Sequence, residues 1–289
     1  MNRLALGTAQ FGLAYGVSNI GGKPSRTDVG RILAIARRAH VEMLDTAISY
    51  GDSESRLGAV GLADWRVVTK LPALPAGVSD PQQWVLVQVK DSLARLRIKR
   101  LYGLLLHRPA DLLDPRGKLL EAALRSLQAA GYVEKVGVSV YGPEDMEAII
   151  PVFTPDLIQM PFNPVDQRLL QSDLGKYIGK NKIELHARSI FLQGLLLMHR
   201  DARPDYFKRW KALWTRWDEW LADHHLSPLA VCVGFALAQA QIHRAVVGVE
   251  SVLQLQQVLV ASKQDIPPVP LELQSADPDL INPSRWTIA

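Results

Sequence analysis

The sequence predicts a single-domain α/β protein, a (β/α)8 (TIM) barrel that spans residues 1–289. Eight short apolar runs recur along the chain, and amphipathic helical patterns fill the intervals between them. Each run is continuous rather than alternating, which is typical of parallel strands covered on both faces. Eight alternating strand and helix units close into such a barrel, and 289 residues is an ordinary length for one.

The predicted strands follow one another at intervals that leave room for crossover helices. They are Arg3–Ala9, Val41–Ala47, Arg66–Pro72, Tyr102–Arg108, Lys135–Val140, Asp156–Phe162, Ile183–Ser189 and Arg244–Glu250. An open doubly wound sheet is the alternative fold. That fold usually carries a Gly-x-Gly-x-x-Gly motif after its first strand, and GTAQFGLAYG (7–16) does not match this motif.

The sequence also indicates helix boundaries and the content of the longest interval between predicted strands. Ser25 is a predicted helix N-cap, and Gly131 is a predicted helix stop. Between the last two strands we expect two helices, within Asp205–His224 and Pro228–Gln241. The first carries four tryptophans on one stripe, which indicates core packing rather than a ligand platform: Trp210, Trp214, Trp217 and Trp220. The tail DPDLINPSRW (277–286) is predicted to be an irregular segment over the barrel.

Composition and charge exclude several classes of protein. The net charge of +4 comes from basic residues spread along the chain, which indicates a solvated surface rather than a nucleic-acid-binding face. A preference for anionic small molecules stays open. The single cysteine, Cys232, lies in an apolar helical stretch and predicts neither a disulfide nor a metal site. We find no signal peptide and no run of about 18 apolar residues, so the sequence predicts a cytoplasmic protein without a membrane span.

Four polar residues lie at the C-terminal ends of three successive predicted strands or in the loop just after one: Asp45, Tyr50, Lys70 and His107. Taken alone, the Asp is an ordinary helix cap, the Lys an ordinary solvent-seeking side chain and the His an ordinary structural residue. In a barrel, however, the C-terminal strand ends meet at one mouth, which is where catalytic residues lie. Their joint occurrence therefore predicts one site.

The four residue types together suit proton transfer to a carbonyl. A phenol has a pKa near 10, which is high for a proton donor at neutral pH. A nearby ammonium should lower that pKa, and a carboxylate should hold the ammonium charged and oriented. An imidazole can polarise and orient the carbonyl oxygen. This set is a general acid that needs no metal.

The same residues carry a resemblance to a known family. LDTAISYGDSESRLG (44–58) resembles the Asp-Thr-Ala-x-x-Tyr-Gly-x-Ser-Glu signature of the aldo-keto reductase family, and VVTKLP and LLLHRP resemble its lysine and histidine segments. The resemblance extends over essentially the whole chain. It implies an oxidoreductase that interconverts an aldehyde or ketone and an alcohol. In it, Tyr50 would be the general acid/base, Lys70 and Asp45 would tune it, and His107 would orient the carbonyl.

The resemblance also implies an extended NADP(H) across the barrel mouth. The residues expected to bind it are Gly7, Thr8, Ala9, Ser139, Gln159, Arg188, Ser189, Phe191, Gln193, Gly194, Gly248, Glu250, Gln254 and Gln257. Three positions depart from the family pattern. Val140 and Val258 replace asparagines, and Arg188 stands where an aromatic residue often stacks on the nicotinamide. Arg188 can stack instead, or it can bind an anionic part of the substrate.

From the resemblance, we expect Glu250 to influence the preference between NADP(H) and NAD(H). Glu250 lies near the expected position of the adenosine 2′-phosphate, and GVESVLQLQQ (248–257) contains no Lys or Arg. A carboxylate repels a phosphate and can bind a ribose hydroxyl. The family therefore favours NADP(H), while Glu250 leaves NAD(H) open.

Two other functions fit the same barrel. One is a regulatory or binding protein that senses the nicotinamide cofactor, and the other is a hydrolase or isomerase that works without it. For an enzyme we expect a monomer acting on a small-molecule carbonyl or alcohol. The substrate pocket near Tyr50 is predicted to include Phe11, Tyr15, Arg108, Phe162, Asn163 and Arg188.

Overall fold

A computed structural model describes residues 2–19 and 21–287 and contains a closed barrel of eight parallel strands. The strands are β1 Leu4–Gly7, β2 Met43–Asp45, β3 Arg66–Leu71, β4 Leu101–Leu106, β5 Val133–Ser139, β6 Leu157–Pro161, β7 Glu184–Arg188 and β8 Arg244–Gly248. Each strand pairs with the next one along the chain, and β8 pairs with β1 to close the barrel. The predicted fold class is confirmed. Most strands are shorter than predicted because the polar residues at their ends belong to the loops.

Helices surround the barrel and fill the connections between strands. They are α1 Ala9–Gly12, α2 Arg26–Arg38, α3 Ser53–Val60, α4 Pro81–Leu96, α5 Gly117–Ala129, α6 Pro143–Ile149, α7 Leu174–Asn181, α8 Lys211–Asp223, α9 Pro228–Ala238, α10 Val252–Ala261 and α11 Pro278–Ile281. The Ser25 side chain accepts a hydrogen bond from the Asp28 N–H and caps α2, as predicted. Gly131 adopts a φ of +78° just after α5, which confirms the predicted helix stop.

The barrel interior explains why polar side chains meet at one end. Its centre is an apolar cluster of Ala5, Met43, Val68, Leu105, Leu157 and Val246. Side chains along a strand alternate between the two faces, so a residue two positions beyond a member of this cluster also points inward. Lys70 lies two positions beyond Val68, and Gln159 lies two beyond Leu157. The same spacing relates Asp45 to Met43, which places these side chains in one layer next to the barrel mouth.

The tryptophan stripe belongs to a second hydrophobic cluster, which includes α8 and the C-terminal tail. Trp214 and Trp217 are buried, and Trp210 and Trp220 are partly buried against the same cluster. The tail contributes Leu273, Leu280 and Ile281. The prediction of core packing is confirmed. The tail is more regular than predicted, because it contains α11 and a 3-10 turn, Pro283–Arg285.

Within residues 2–19 and 21–287, no single helix has both the length and the apolar character needed to cross a bilayer. Asp205–Asp223 and Pro228–Ala238 satisfy length and composition only as a pair, and they are bent by 91° relative to each other. Both segments contribute buried residues to the hydrophobic core.

Glu54 anchors the segment that follows Tyr50. Its carboxylate is buried and accepts hydrogen bonds from Thr69 Oγ1 at 2.8 Å, Ser92 Oγ at 2.7 Å and Arg95 Nε at 2.8 Å. These partners come from β3 and α4, so one side chain links three elements. Buried charges need this degree of pairing to be tolerated. Glu54 is therefore a structural anchor for the loop that carries Tyr50.

We expect Glu54→Gln to lower the free energy of unfolding by about 2 kcal/mol, since the amide nitrogen cannot accept the hydrogen bonds that the carboxylate accepts. Urea denaturation measures the change. The matched control is Glu147→Gln, at an exposed position on α6, which should change the value by less than about 0.5 kcal/mol. Equal stability of the two variants would contradict the anchoring role.

Candidate active site

Asp45 and Lys70 form a buried ion pair at the barrel mouth. Lys70 Nζ lies 2.6 Å from Asp45 Oδ1, and the two side chains are only 1% and 6% exposed. The ammonium also donates to the Thr46 carbonyl at 2.8 Å, and Gln159 Nε2 donates to Asp45 Oδ2 at 2.6 Å. Burial lowers the pKa of Lys70, and the Asp45 carboxylate opposes that shift. Both carboxylate oxygens are thus occupied, and the pair is held rigidly.

Tyr50 and His107 lie next to this pair. Their ring centroids are 6.1 Å apart in an edge-on arrangement, and Lys70 Nζ lies 5.3 Å from the centroid of the Tyr50 ring. The Ser49 hydroxyl lies 3.4 Å from His107 Nδ1. The four residues that the sequence separates by up to 62 positions, from Asp45 to His107, are therefore neighbours in the structure.

The electrostatics of Tyr50 differ from the expectation. Burial raises the pKa of the phenol above its ordinary value, Asp45 adds to the rise, and Arg188 opposes it. The expected net lowering of the pKa is not found, because burial and the Asp45 carboxylate outweigh the nearby positive charges. Tyr50 is therefore a protonated phenol at neutral pH.

His107 is a neutral imidazole at neutral pH. Burial, assisted by the positive charges of Lys70 and Arg188, lowers its pKa from 6.5 to about 4. A neutral ring keeps one N–H donor and one acceptor nitrogen. His107 can thus donate one hydrogen bond to a carbonyl oxygen without adding a charge to the site.

A cavity of about 620 Å³ opens at the C-terminal ends of the strands. All four predicted catalytic residues line it. So does every residue predicted to bind the cofactor: Gly7, Thr8, Ala9, Ser139, Gln159, Arg188, Ser189, Phe191, Gln193, Gly194, Gly248, Glu250, Gln254 and Gln257. The structure thus brings the predicted set together around one space, while the individual roles stay predictions.

The polar lining fits a nicotinamide carboxamide. Gln159 Oε1 is buried at the cavity wall and accepts no hydrogen bond from any described residue. Such an oxygen is costly unless a donor reaches it. Ser139 lies opposite Gln159 in the β5–β6 register and lines the same wall. A primary amide can supply the missing N–H, so these residues are suited to the group that the family binds.

The loop after β7 has an unusual backbone. Ser189, Leu192 and Gln193 have φ values of 52°, 48° and 53°, in the left-handed region that non-glycine residues seldom adopt. Such conformations cost of order 1 kcal/mol each and cluster at functional sites. Gln193 is held by the loop after β1: its carbonyl accepts from the Val17 N–H at 3.1 Å, and its amide donates to Tyr15 at 3.1 Å.

Gly194 is required in this loop by contacts within the protein. Its φ is +91°, and a Cβ at this position would collide with the Ser18 hydroxyl. The backbone here lies against the loop after β1, which closes one side of the cavity. The expected contact of Gly194 with the cofactor stays a prediction.

Arg188 is fixed in the cavity wall by residues at the end of β5. Its Nη2 donates to the Val140 carbonyl at 2.9 Å, and its Nη1 donates to Ser189 Oγ at 3.1 Å. The guanidinium carbon lies 4.8 Å from the centroid of the Tyr141 ring. Tyr141 was not among the predicted site residues. Its position directly after a predicted strand end, like that of Lys70, was the available signal.

Four residues predicted to line the substrate pocket lie elsewhere. Phe11 is fully buried in the core, and Phe162 is fully buried and stacks on Phe235 with ring centroids 4.7 Å apart. Asn163 is buried, its Nδ2 donates to the Ser189 carbonyl, and its Oδ1 accepts from the Val165 N–H within its own turn. Arg108 pairs with Asp111, whose other oxygen accepts from the Leu74 N–H.

The reason for these errors is side-chain direction. Phe162 follows the inward-facing Pro161, so it points out of the barrel toward α9. Tyr15 and Arg188 do line the cavity, as predicted. The lining residues that sequence reasoning missed are Gln10, Gly16, Ser18, Tyr141, Ile190, Leu197, Leu229, Val246, Val249, Val258, Pro283 and Ser284.

Glu250 lines the cavity from the loop after β8, a strand that pairs with none of the strands β2, β3 and β4 that precede or carry the predicted catalytic residues. It is partly buried, and its N–H donates to Gln254 Oε1 at 2.7 Å. Burial raises the pKa of the Glu250 carboxyl. Among the lining residues, only Lys70 and Arg188 carry a positive charge. The described lining therefore contains no further positively charged side chain near Glu250.

Comparisons with known proteins identify the family of this chain. Residues 3–268 match the model of the Aldo/keto reductase family. The chain is 28% identical over 175 residues to the uncharacterized oxidoreductase YtbE of Bacillus subtilis (strain 168), an alignment that covers 55% of this chain and 60% of that protein. The chain therefore spans less than two thirds of the length of that relative.

Two solved structures show the same fold. The aldo-keto reductase AKR11C1 from Bacillus halodurans, in its holo form, has a TM-score of 0.72 and 20% identity, with 94% of this chain and 89% of that chain covered. The glycerol dehydrogenase AKR11B4 from Gluconobacter oxydans has a TM-score of 0.70 and 23% identity, with 92% and 88% covered. These likenesses show the fold, and the family-model match over residues 3–268 shows that the protein belongs to the aldo/keto reductase family.

The lowered pKa of His107 predicts a specific pH dependence. The unfolded chain takes up a proton near pH 6.5, and the folded protein does so only near pH 4. Because the unfolded state binds more protons in this window, the contribution of His107 to stability rises from pH 4 to pH 6.5 and is complete above it. Urea denaturation at about pH 5 and about pH 7.5 should show a larger acid loss for the wild type than for His107→Gln. Equal losses would contradict the shift.

Proposed function

We propose that the protein is an NAD(P)H-dependent oxidoreductase that interconverts an aldehyde or ketone and an alcohol. The observation that carries this proposal is the arrangement of Tyr50 and His107 beside the buried Asp45–Lys70 pair. The cavity that these residues line also contains the unpartnered oxygen of Gln159. Membership of the aldo/keto reductase family gives independent support.

In this proposal Tyr50 donates a proton to the carbonyl oxygen as the carbonyl is reduced. The phenolate that remains is stabilised by the Lys70 ammonium, which Asp45 and the Thr46 carbonyl keep in position. The raised pKa of Tyr50 keeps the phenol protonated at neutral pH. It also makes the phenol a weaker acid, so donation to the carbonyl oxygen depends on this stabilisation of the phenolate.

His107 orients the carbonyl in this scheme. A neutral imidazole donates a hydrogen bond to the carbonyl oxygen and leaves the transferred proton to Tyr50. The Ser49 hydroxyl near Nδ1 can fix the tautomer in which the other ring nitrogen carries the proton. A cationic imidazole would compete with Tyr50 as proton donor, so the lowered pKa of His107 suits a positioning role.

The cofactor supplies the hydride when it is bound. We propose that Ser139 and Gln159 hold its carboxamide, and that Gln193 and the rest of the loop after β7 contact its diphosphate. At the far end of the cavity, Gln254 and Gln257 are proposed to contact the adenosine. The small-molecule substrate, the monomeric state and the cytoplasmic location stay predictions from the sequence.

The choice between the two dinucleotides is proposed to depend on Glu250. The family favours NADP(H). Two features favour NAD(H). One is the carboxylate of Glu250, and the other is that the described cavity lining contains no Lys or Arg besides Lys70 and Arg188. A carboxylate near the ribose would repel the 2′-phosphate and accept hydrogen bonds from the 2′-hydroxyl.

We expect Tyr50→Phe to reduce turnover of 4-nitrobenzaldehyde by at least about 100-fold, because it removes the proton donor. Loss of reduced-nicotinamide absorbance measures the rate, and a fluorescence titration should show that cofactor binding survives. The control is Tyr177→Phe on α7, whose ring packs against the core outside the cavity.

Other outcomes of this experiment favour other functions. Full turnover by Tyr50→Phe would refute the proposed role of the phenol. Tight cofactor binding by the wild type without turnover of any aldehyde would favour a cofactor-sensing protein. Absence of binding to both NADPH and NADH would favour a hydrolase or isomerase.

We expect Glu250→Lys to raise the affinity for NADPH relative to NADH by at least about tenfold, since it replaces a repulsive charge by an attractive one. Fluorescence titrations with both reduced cofactors measure the ratio. Glu272→Lys makes the same charge change at an exposed position outside the cavity and should leave the ratio as in the wild type. An unchanged ratio in Glu250→Lys would show that this carboxylate does not face the 2′ position.

A further inference from the structure

Arg188 is the one uncompensated charge beside the proposed reaction centre. The charged residues that line the cavity are Asp45, Lys70, Arg188 and Glu250. Asp45 and Lys70 neutralise each other, and Glu250 forms no ion pair with Arg188 in the described structure. Within residues 2–19 and 21–287, Arg188 forms no ion pair. Its partners are the Val140 carbonyl, the Ser189 hydroxyl and the Tyr141 ring.

Several other partly buried arginines have carboxylate partners. Arg168 lies 2.8 Å from an Asp166 oxygen, and Arg203 lies 2.5 Å from an Asp218 oxygen. Arg3 has no carboxylate partner, but all three of its guanidinium nitrogens donate to backbone carbonyls. A guanidinium held away from water without an anion or a full set of acceptors is costly. Arg188 is therefore a place where an anion from outside the chain would be stabilised.

The guanidinium of Arg188 is already oriented for a ligand. Two hydrogen bonds and the face of Tyr141 fix its plane, so little side-chain freedom is left to lose on binding. Only two of its five N–H donors have partners, and the buried Nε has none. A planar fork with free donors matches the two oxygens of a carboxylate.

The position of Arg188 indicates which molecule would carry this anion. Arg188 ends β7 opposite Pro161, two positions beyond Gln159, whose amide donates to Asp45. The charge of Arg188 accordingly lowers the pKa of Tyr50, Lys70 and His107. An anion bound to Arg188 therefore lies in the same end of the cavity as the carbonyl that Tyr50 would protonate. A small substrate can reach both residues at once only if it carries the carbonyl and the anion in one molecule.

We propose that Arg188 binds a carboxylate of the substrate, so that the enzyme acts on small carbonyl compounds that also bear a carboxylate group. This inference rests on the proposed function and narrows its substrate class. It assigns a specificity role to Arg188, one of the departures from the family pattern, whose guanidinium donates to the backbone carbonyl of Val140. The Val140 carbonyl and the Tyr141 ring position the guanidinium.

The test compares 3- and 4-carboxybenzaldehyde with the corresponding formylbenzamides, which are neutral and of similar shape. For the wild type we expect a ratio of kcat/KM, acid over amide, of at least about tenfold for one of the two pairs, as for one charge-assisted hydrogen bond. Arg188→Met should bring this ratio to about one. Arg100→Met, on an exposed pair with Glu134, is the control and should keep the wild-type ratio.

A binding measurement keeps the test independent of turnover. Calorimetric titration of the protein with benzoate and benzamide, in the presence of NADP⁺ or NAD⁺, should show tighter binding of benzoate to the wild type and loss of that difference in Arg188→Met. Tighter binding of phenyl phosphate than of benzoate would overturn the assignment of a carboxylate.

The failures of the two proposals are distinguishable. Turnover of neutral aldehydes with an acid-to-amide ratio of one or less overturns the carboxylate site and leaves the oxidoreductase function standing. An unchanged ratio in Arg188→Met, with a large loss of NADPH or NADH affinity, assigns Arg188 to the cofactor instead. No turnover of any aldehyde refutes the proposed function, while the benzoate titration still decides whether Arg188 binds a carboxylate.

Discussion

The buried ion pair between Asp45 and Lys70 is the interaction around which the barrel mouth is organised. Moving two charges out of water costs several kcal/mol per ion, and their attraction offsets this only when the geometry is close and the remaining polar atoms are bonded. Here the contact is 2.6 Å, Gln159 bonds the second carboxylate oxygen, and the Thr46 carbonyl bonds the ammonium. Three strands, β2, β3 and β6, are thereby fixed relative to one another.

The neutrality of this pair controls the electrostatics of the remaining site. Burial and the Asp45 carboxylate together outweigh the nearby positive charges, so the pKa of the Tyr50 phenol is raised. Burial also keeps His107 neutral. A protonated phenol and a neutral imidazole are the proton donor and the orienting group that the proposed carbonyl chemistry requires. The net positive charge of this end of the cavity is then that of Arg188.

The loops around the site are held by contacts that do not involve the catalytic group. Glu54 connects the segment after Tyr50 to β3 and α4, and Gln193 connects the loop after β7 to the loop after β1. Left-handed residues in the loop after β7 are tolerated because these neighbours hold them. Rigid surroundings of this kind reduce the reorganisation that binding and proton transfer require.

The sequence by itself determined the barrel, the order of its strands and the positions of Asp45, Tyr50, Lys70 and His107 at one mouth. These features follow from local periodicity: apolar runs define strands, and polar residues just beyond them must lie at the strand ends. All the predicted catalytic and cofactor residues line the cavity for the same reason.

Only the tertiary structure decided which side chains share a space and how their protons are held. Phe11 and Phe162 lie near the site in the sequence but point into the core, and Tyr141 enters the site from a strand end that carried no charge. The contact between Val140 and Arg188 joins positions 48 residues apart. The direction of the Tyr50 pKa shift depends on burial and on nearby charges in three dimensions, neither of which is encoded in any local pattern of residues.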